Sequence, residues 1–185
     1  ISKANLFIND AYLTDMNGGN ITFIISRMDK KSRKYLSLSN QEKSWMETFN
    51  FENFEEIVRK GFYKFEEKVI SLSESNTIKV LGASTRGALI IQMLELDSKI
   101  ITTAVDLQKN KVGRRIPGTD IVIEFDGEHE VPDYYLVMPY QFRTEIIKRY
   151  LNYMKSGGGL LFYRPQQEII TYDKETKKIK YTPII

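Results

Sequence analysis

The sequence predicts an α/β fold: a Rossmann-like, mostly parallel sheet with helices on both faces, preceded by a short strand segment and a long amphipathic helix. Three observations carry that prediction. Apolar, β-branched runs recur five times between Thr77 and Pro165, the composition of strands buried on both faces. Segments with a three-to-four-residue apolar period separate several of them, as crossover helices between parallel strands require. Finally, the stretch "KVLGASTRGALIIQML", Lys79 to Leu94, runs an apolar strand into a glycine-bounded turn and then a helix. That is the outline of a phosphate-binding turn at the carboxyl end of a strand.

Composition bounds the remaining possibilities. The chain has 185 residues, 42% of them apolar and 12% aromatic, enough for one ordinary core with room for a small appendage. A net charge of +3 gives no reason to expect a nucleic-acid partner. No apolar run approaches the roughly 20 residues that cross a bilayer, so no membrane partner is expected. With no cysteines, disulfides and thiolate metal sites are excluded, and a cytoplasmic location is expected. The single histidine, His129, lies in "DGEHEV" and reads as a solvated loop residue without a catalytic or metal role. The opening "ISKANLFIND" has no initiator Met and is neither a signal nor a transit peptide. It reads as the middle of something longer, so the chain is expected to be a fragment.

In chain order, "NGGNITFIIS" (Asn17 to Ser26) places a Gly-Gly turn before a strand, and "RMDKKSRK" is a charged loop. From Asn50 to Ser73 the period becomes helical, with an aromatic stripe that includes Phe51, Phe54, Phe62 and Phe65 and with Asn50 as N-cap. Strands follow at "TIKVLGA", Ile100 to Asp106, Asp120 to Phe125, Asp133 to Pro139 and "GLLFYRP". Helices are expected over Gly87 to Leu96 and Tyr140 to Lys155, the second closed by a left-handed Gly157. The tail forms a hairpin around Asp173 to Lys177.

The turn is where chemistry is expected. Gly82 and Gly87 would let backbone approach an anion, Ser84 and Thr85 offer hydroxyls, and Arg86 offers a forked contact. It is not a Walker A loop, because Ala88 and Leu89 follow the last glycine. Nor is it the dinucleotide G-x-G-x-x-G, because Ala83 and Ser84 follow Gly82. On spacing alone a nucleotide and a purely structural connection are equally compatible. Asp106 ends the next strand, where an acid can bind ribose hydroxyls. Lys109, Lys111, Arg114 and Arg115 then cluster ahead of Pro117-Gly118 and Thr119, a loop that suits a diphosphate or is simply exposed.

Read together, "LGASTRG", "VDLQKNKVGRRIPGTDIVI", "PDYYLVMPYQFRTEIIKRY" and "GGGLLFYRP" resemble, in order and spacing, the C-terminal domain of sugar C-methyltransferases of deoxysugar biosynthesis. "MNGGNITFIIS" is similar to the segment that closes the methyltransferase domain of that family. Arg86 stands where the family has Lys, Leu81 where it has Tyr, Tyr140-Gln141 where it has Trp-Asn, and Asn17, Asn20 and Thr22 where it has His, Ser and Arg.

The resemblance implies residues 1–49 as the end of a preceding methyltransferase domain plus linker, and 50–185 as the C-terminal domain. It implies binding of a nucleotide-linked sugar through Gly82, Ala83, Ser84, Thr85, Arg86, Gly87, Asp106 and Lys111, with Thr119 shaping the cleft. No catalytic or metal-binding residue is expected. S-adenosylmethionine belongs to the full-length protein, in a preceding domain of the same chain, so this segment is expected to be inactive alone. The alternative is a stand-alone nucleotide-binding or assembly module.

Overall fold

The computed structural model describes residues 1–14 and 19–184. Asn17 and Gly18 of the expected Gly-Gly turn, and the side chain of Phe51, lie outside the described residues. Two compact units divide the chain, Ile1–Glu55 and Glu56–Ile185.

The first unit pairs β1 (Phe7–Thr14) antiparallel to β2 (Asn20–Ser26), with an irregularity between Ile8 and Asp10. Asn9 sits at that bulge; its amide nitrogen donates to Ser26 Oγ at 2.7 Å, and its carbonyl oxygen accepts from Lys30 N at 3.1 Å. A helix α1 follows (Arg33–Thr48), which overlaps the end of the expected charged loop. Its start is set by Ser32, whose Oγ accepts from Tyr35 N at 3.0 Å, an N-cap. It buries no residue, so its apolar period gave no signal.

At the end of the first unit Asn50 Oδ1 accepts from Glu52 N at 2.9 Å and a 3-10 turn covers Phe51–Asn53. Helix α2 runs from Phe54 to Ser73, nearly all of it in the second unit, which carries the site. Then come β3 (Ile78–Leu81), α3 (Thr85–Met93), β4 (Thr103–Asp106), β5 (Ile123–Phe125), β6 (Tyr134–Val137), α4 (Arg143–Arg149), α5 (Leu151–Lys155), β7 (Gly159–Phe162), β8 (Glu168–Asp173) and β9 (Lys178–Pro183). The strand order is β5-β4-β3-β6-β7-β8-β9. Pairings from β5 to β7 are parallel, and β8 and β9 add the expected antiparallel tail hairpin. The helix expected over Tyr140–Lys155 is divided at Tyr150 (φ −94°, ψ 14°), and Gly157 has the left-handed φ of 115°.

Alternation along the strands feeds two cores. Ile78, Val80, Ala104 and Leu136 pack with Phe62, Phe65 and Val69 of α2 and with Ala88 and Ile91 of α3. Leu81, Val105, Tyr135, Val137, Leu160 and Phe162 pack with Ile146, Ile147 and Met154 on the other face. A buried charge of β3 is paired across the sheet: Lys79 Nζ meets Glu124 Oε2 at 2.7 Å, and Thr103 Oγ1 donates to the same oxygen at 2.8 Å. Burial alone would raise the Glu124 carboxyl, but the Lys79 and Thr103 hydrogen bonds outweigh it and hold the group low.

At the amino ends of β3 and β6, Asp133 Oδ2 accepts from Thr77 N and from Thr77 Oγ1, each at 2.8 Å. These bonds lower its carboxyl below the ordinary 3.8. Because the folded value is the depressed one, this stabilisation is complete well above pH 3.8 and fades as pH falls below 3.8 toward the folded value. The Asp133→Asn variant should therefore lose part of the acid limb of the stability–pH profile. Urea midpoints between pH 2 and 6 measure it; an unchanged limb would remove Asp133 as a cause.

Candidate functional site

The strand order reverses beside β3: β4 and β5 lie on one side, and β6 and β7 on the other. Such a reversal opens a crevice beyond the carboxyl ends of the strands. The turn Gly82–Ser84 stands there. Gly82 has φ +87°, and a Cβ on it would come within 2.9 Å of Pro139 Cδ; at Gly87 a Cβ would meet Met138 Cγ at 2.7 Å. The room left by these two glycines is thus taken by Met138 and Pro139.

Several polar groups of the turn are satisfied within the protein. Ser84 Oγ accepts from Gly87 N at 3.1 Å and caps α3. Asp106 Oδ2 accepts from Ala83 N at 3.0 Å and from Lys111 Nζ at 2.8 Å, while Oδ1 accepts from Gln108 N at 2.8 Å. Lys111 Nζ also donates to Ala83 O at 2.9 Å. Asp106 therefore bolts the turn to the loop after β4. A carboxylate has about four acceptor positions, so Oδ1 keeps one beyond the bond from Gln108 N.

Two concavities flank this bolt, and Ser84 and Lys111 line both. The smaller, about 330 Å³, sets Thr85 of α3 against Lys111, Arg114 and Arg115, with no carboxylate in its wall. The larger, about 500 Å³, lies over Leu81, Gly82, Val105 and Asp106 and is walled by α4 and the residues flanking it. Ligand clefts fall in this size range. Its two cations are each paired, Lys111 with Asp106 and Arg149 with Asp126 at 2.6 Å.

The remaining expected site residues lie in neither wall. Arg86 is exposed at the second position of α3. Burial, with Tyr140 beside it, pushes the Tyr163 phenol up to about 12, and the Arg86 and Arg164 charges oppose that rise. Thr119 holds its own turn, Oγ1 donating to Ile116 O at 3.0 Å and accepting from Ile121 N at 3.2 Å. Next to it Gln92 Nε2 donates to Pro117 O at 2.7 Å, tying α3 to the basic loop.

His129 is a correction to the sequence reading. Its side chain is 5% exposed, not solvated. Nδ1–H donates to Glu130 O at 2.8 Å, so in the neutral ring Nε2 accepts from Tyr135 Oη at 3.2 Å. Burial, then the charge of Asp126, raises the Tyr135 phenol to about 12, and both effects raise Tyr150 as well. Both phenols therefore stay donors at neutral pH, Tyr150 Oη reaching Asp126 Oδ1 at 3.3 Å. Asp126, Arg149 and Tyr150 are cleft residues that the sequence reading missed. A signal was present: Asp126 directly follows β5 as Asp106 ends the neighbouring β4, and Asp126 N donates to Asp106 O at 3.1 Å. Among the described residues no group of three His, Asp or Glu could hold a metal ion, and no helix is long and apolar enough to cross a membrane.

A sequence model of the C-methyltransferase C-terminal domain matches residues 15–165. The C-methyltransferase NovU of Streptomyces niveus is 28% identical over 103 residues, which is 54% of this chain and 24% of that protein. The chain thus matches about a quarter of the length of that relative. With most of its residues under the family's sequence model, the chain belongs to the C-methyltransferase C-terminal domain family.

Proposed function

We propose that this chain is the nucleotide-sugar-binding part of a sugar C-methyltransferase, built on a Rossmann-like fold and inactive by itself. The observation that carries the reading is the pairing of the two concavities across Ser84 and Lys111. One is cationic and suits a diphosphate; the other is wider and charge-balanced save for Glu145. Ser84, Thr85 and Lys111, joined by Arg114 and Arg115, hold the phosphates, Ala83 lines the same concavity, and Arg86 adds its charge at longer range. Gly82 and Gly87 fix the path of the turn. Asp106 offers its remaining acceptor position to a ribose or sugar hydroxyl, and Thr119 shapes the basic loop. The chain thereby binds and orients the sugar for chemistry supplied elsewhere.

S-adenosylmethionine supplies the methyl group in such an enzyme, and we assign it to a preceding domain of the same protein. Among the described residues every buried side-chain nitrogen and oxygen has a partner. Among them no orphaned buried group marks a place for that cofactor. Residues 1–49 are read as the end of that preceding domain. The hairpin β1–β2, with α1 beside β1, still exposes Leu13, Ile21, Phe23 and Ile25, apolar surface that suits cover by such a domain. A cytoplasmic setting is part of the same reading.

Calorimetric titration with UDP-glucose, with S-adenosylmethionine in parallel, tests it. Heat from the nucleotide-sugar alone, with affinity reduced about tenfold in Arg115→Ala, is the expected outcome. A second reading, an assembly module whose turn binds nothing, is favoured by Met138 and Pro139 filling the glycine positions and by the internally satisfied Asp106. Silence with UDP-glucose and with UDP alone would select it.

A further inference from the structure

We propose that His129 is a proton-operated latch on the Arg149–Asp126 pair: the neutral imidazole leaves Asp126 to Arg149, and the protonated one takes the carboxylate and releases the guanidinium. Arg149 lines the larger cleft, so the latch sets whether that cleft presents a paired or a free cation. The inference does not depend on what the cleft binds.

His129 is the only imidazole in the chain, and its neighbours fix its tautomer. Glu130 O, an acceptor only, takes Nδ1–H at 2.8 Å, which leaves the lone pair of the neutral ring on Nε2. Two oxygens face that nitrogen, Tyr135 Oη at 3.2 Å and Asp126 Oδ1 at 3.8 Å. The neutral ring accepts from the phenol, which burial and the Asp126 charge keep protonated. It offers nothing to the carboxylate. A proton on Nε2 reverses both relations: the nitrogen no longer accepts from Tyr135, and Asp126 becomes its charged partner.

The other charges around the ring are already balanced or solvated. Glu124 of β5 is paired with Lys79 of β3 at 2.7 Å, and Glu128 and Glu130 of the same loop are exposed. Tyr153 of α5 packs on Tyr135 with its hydroxyl on Asp133 O. Asp126, 9% exposed, holds Arg149 Nη2 of α4 on Oδ2 at 2.6 Å and Tyr150 Oη on Oδ1 at 3.3 Å. Once His129 is protonated, this one carboxylate faces two cations with unequal alternatives. The imidazole is 5% exposed and the Arg149 side chain 53%, so only Arg149 has water to turn to. A buried charge without a partner is the costlier outcome, and the exchange avoids it. Imidazole ordinarily changes charge between about pH 5 and 8. Its acid form is the charged one, so the released guanidinium belongs to the low-pH state.

Proton–nitrogen NMR correlations of the full chain test this, because they read a single imidazole. Above about pH 8 the ring should show the one Nδ1–H tautomer. On acidification both nitrogens should become protonated, and the Arg149 Nε–H signal, assigned by its loss in Arg149→Lys, should shift with the same midpoint. Arg149→Met, at a half-exposed position, removes the competitor and should raise the midpoint of the ring by about one pH unit. Asp126→Asn removes the shared partner and should lower it by about as much. An Arg149 signal that ignores the titration, or a midpoint unmoved by Arg149→Met, would overturn the latch. So would a ring that stays neutral until the chain unfolds in acid.

Discussion

Replacing Arg143 with alanine should destabilise the second unit by about 3–5 kcal/mol, the usual cost of stripping a buried charge of its partner. Arg143 opens α4 and donates from Nε and Nη2 to Glu168 Oε1, at 3.0 and 2.7 Å. The Glu168 side chain is 5% exposed and that of Arg143 29%, so the carboxylate left behind gains only a partial route to water. The same arginine lies over the rings of Phe162 and Tyr181, and packing is lost together with charge. For a chain of this size the loss corresponds to a fall in Tm of about 10 °C. The double variant Arg143→Met/Glu168→Leu removes the unpaired charge and fills the space with apolar atoms, and should recover most of the loss. Urea unfolding of the three proteins measures the cycle. If the single variant matches wild type, the pair does not anchor α4; if the double is as unstable as the single, packing rather than charge is responsible.

The anchoring bears on how much of the site could be read from sequence. The strand, turn and helix from Lys79 to Leu94 were legible because each link is local: an apolar run, glycines where a side chain does not fit, and a serine that caps α3. The parallel character of the sheet followed from buried strands spaced by helices, and β3 to β7 fall inside the expected segments, while the strand order is known from the structure alone. What the sequence could not show was which partners the polar side chains would find. Asp106 was read as facing a ligand, yet its carboxylate is largely occupied by Ala83, Gln108 and Lys111. Lys111 is close to it in sequence, but Ala83 is brought there by parallel pairing of β3 and β4. His129 looked solvated because its neighbours are polar. Its burial comes with Tyr135 on β6 and Asp126 after β5; both are near it in sequence, but only the folded loop turns those side chains onto the imidazole. Helix α1 escaped for the opposite reason: with no buried residue, it lacks the period that marks a packed helix.

Asp106→Ala should cost about 3 kcal/mol and should also reduce nucleotide affinity, and the two effects can be separated. The side chain is 10% exposed and accepts three hydrogen bonds, one of them from Lys111, itself 30% exposed. Alanine leaves two backbone N–H groups and an ammonium without that acceptor. Lys111 keeps its bond to Ala83 O and has a partial route to water, which holds the expected loss near the lower end of the range for buried pairs. Asp106→Asn retains one oxygen, so it should lie between alanine and wild type in stability while still losing the ion pair. Urea midpoints give the order, and hydrogen exchange at the Ala83 and Gln108 amides should quicken in alanine more than in asparagine. Affinity for UDP is then compared between Asp106→Asn and Lys111→Met, both of which break the ion pair. If the carboxylate only bolts the turn, the two variants lose affinity by the same factor. A larger loss in Asp106→Asn, which alone alters the acceptor facing the cleft, assigns the remaining Oδ1 position to a ligand hydroxyl.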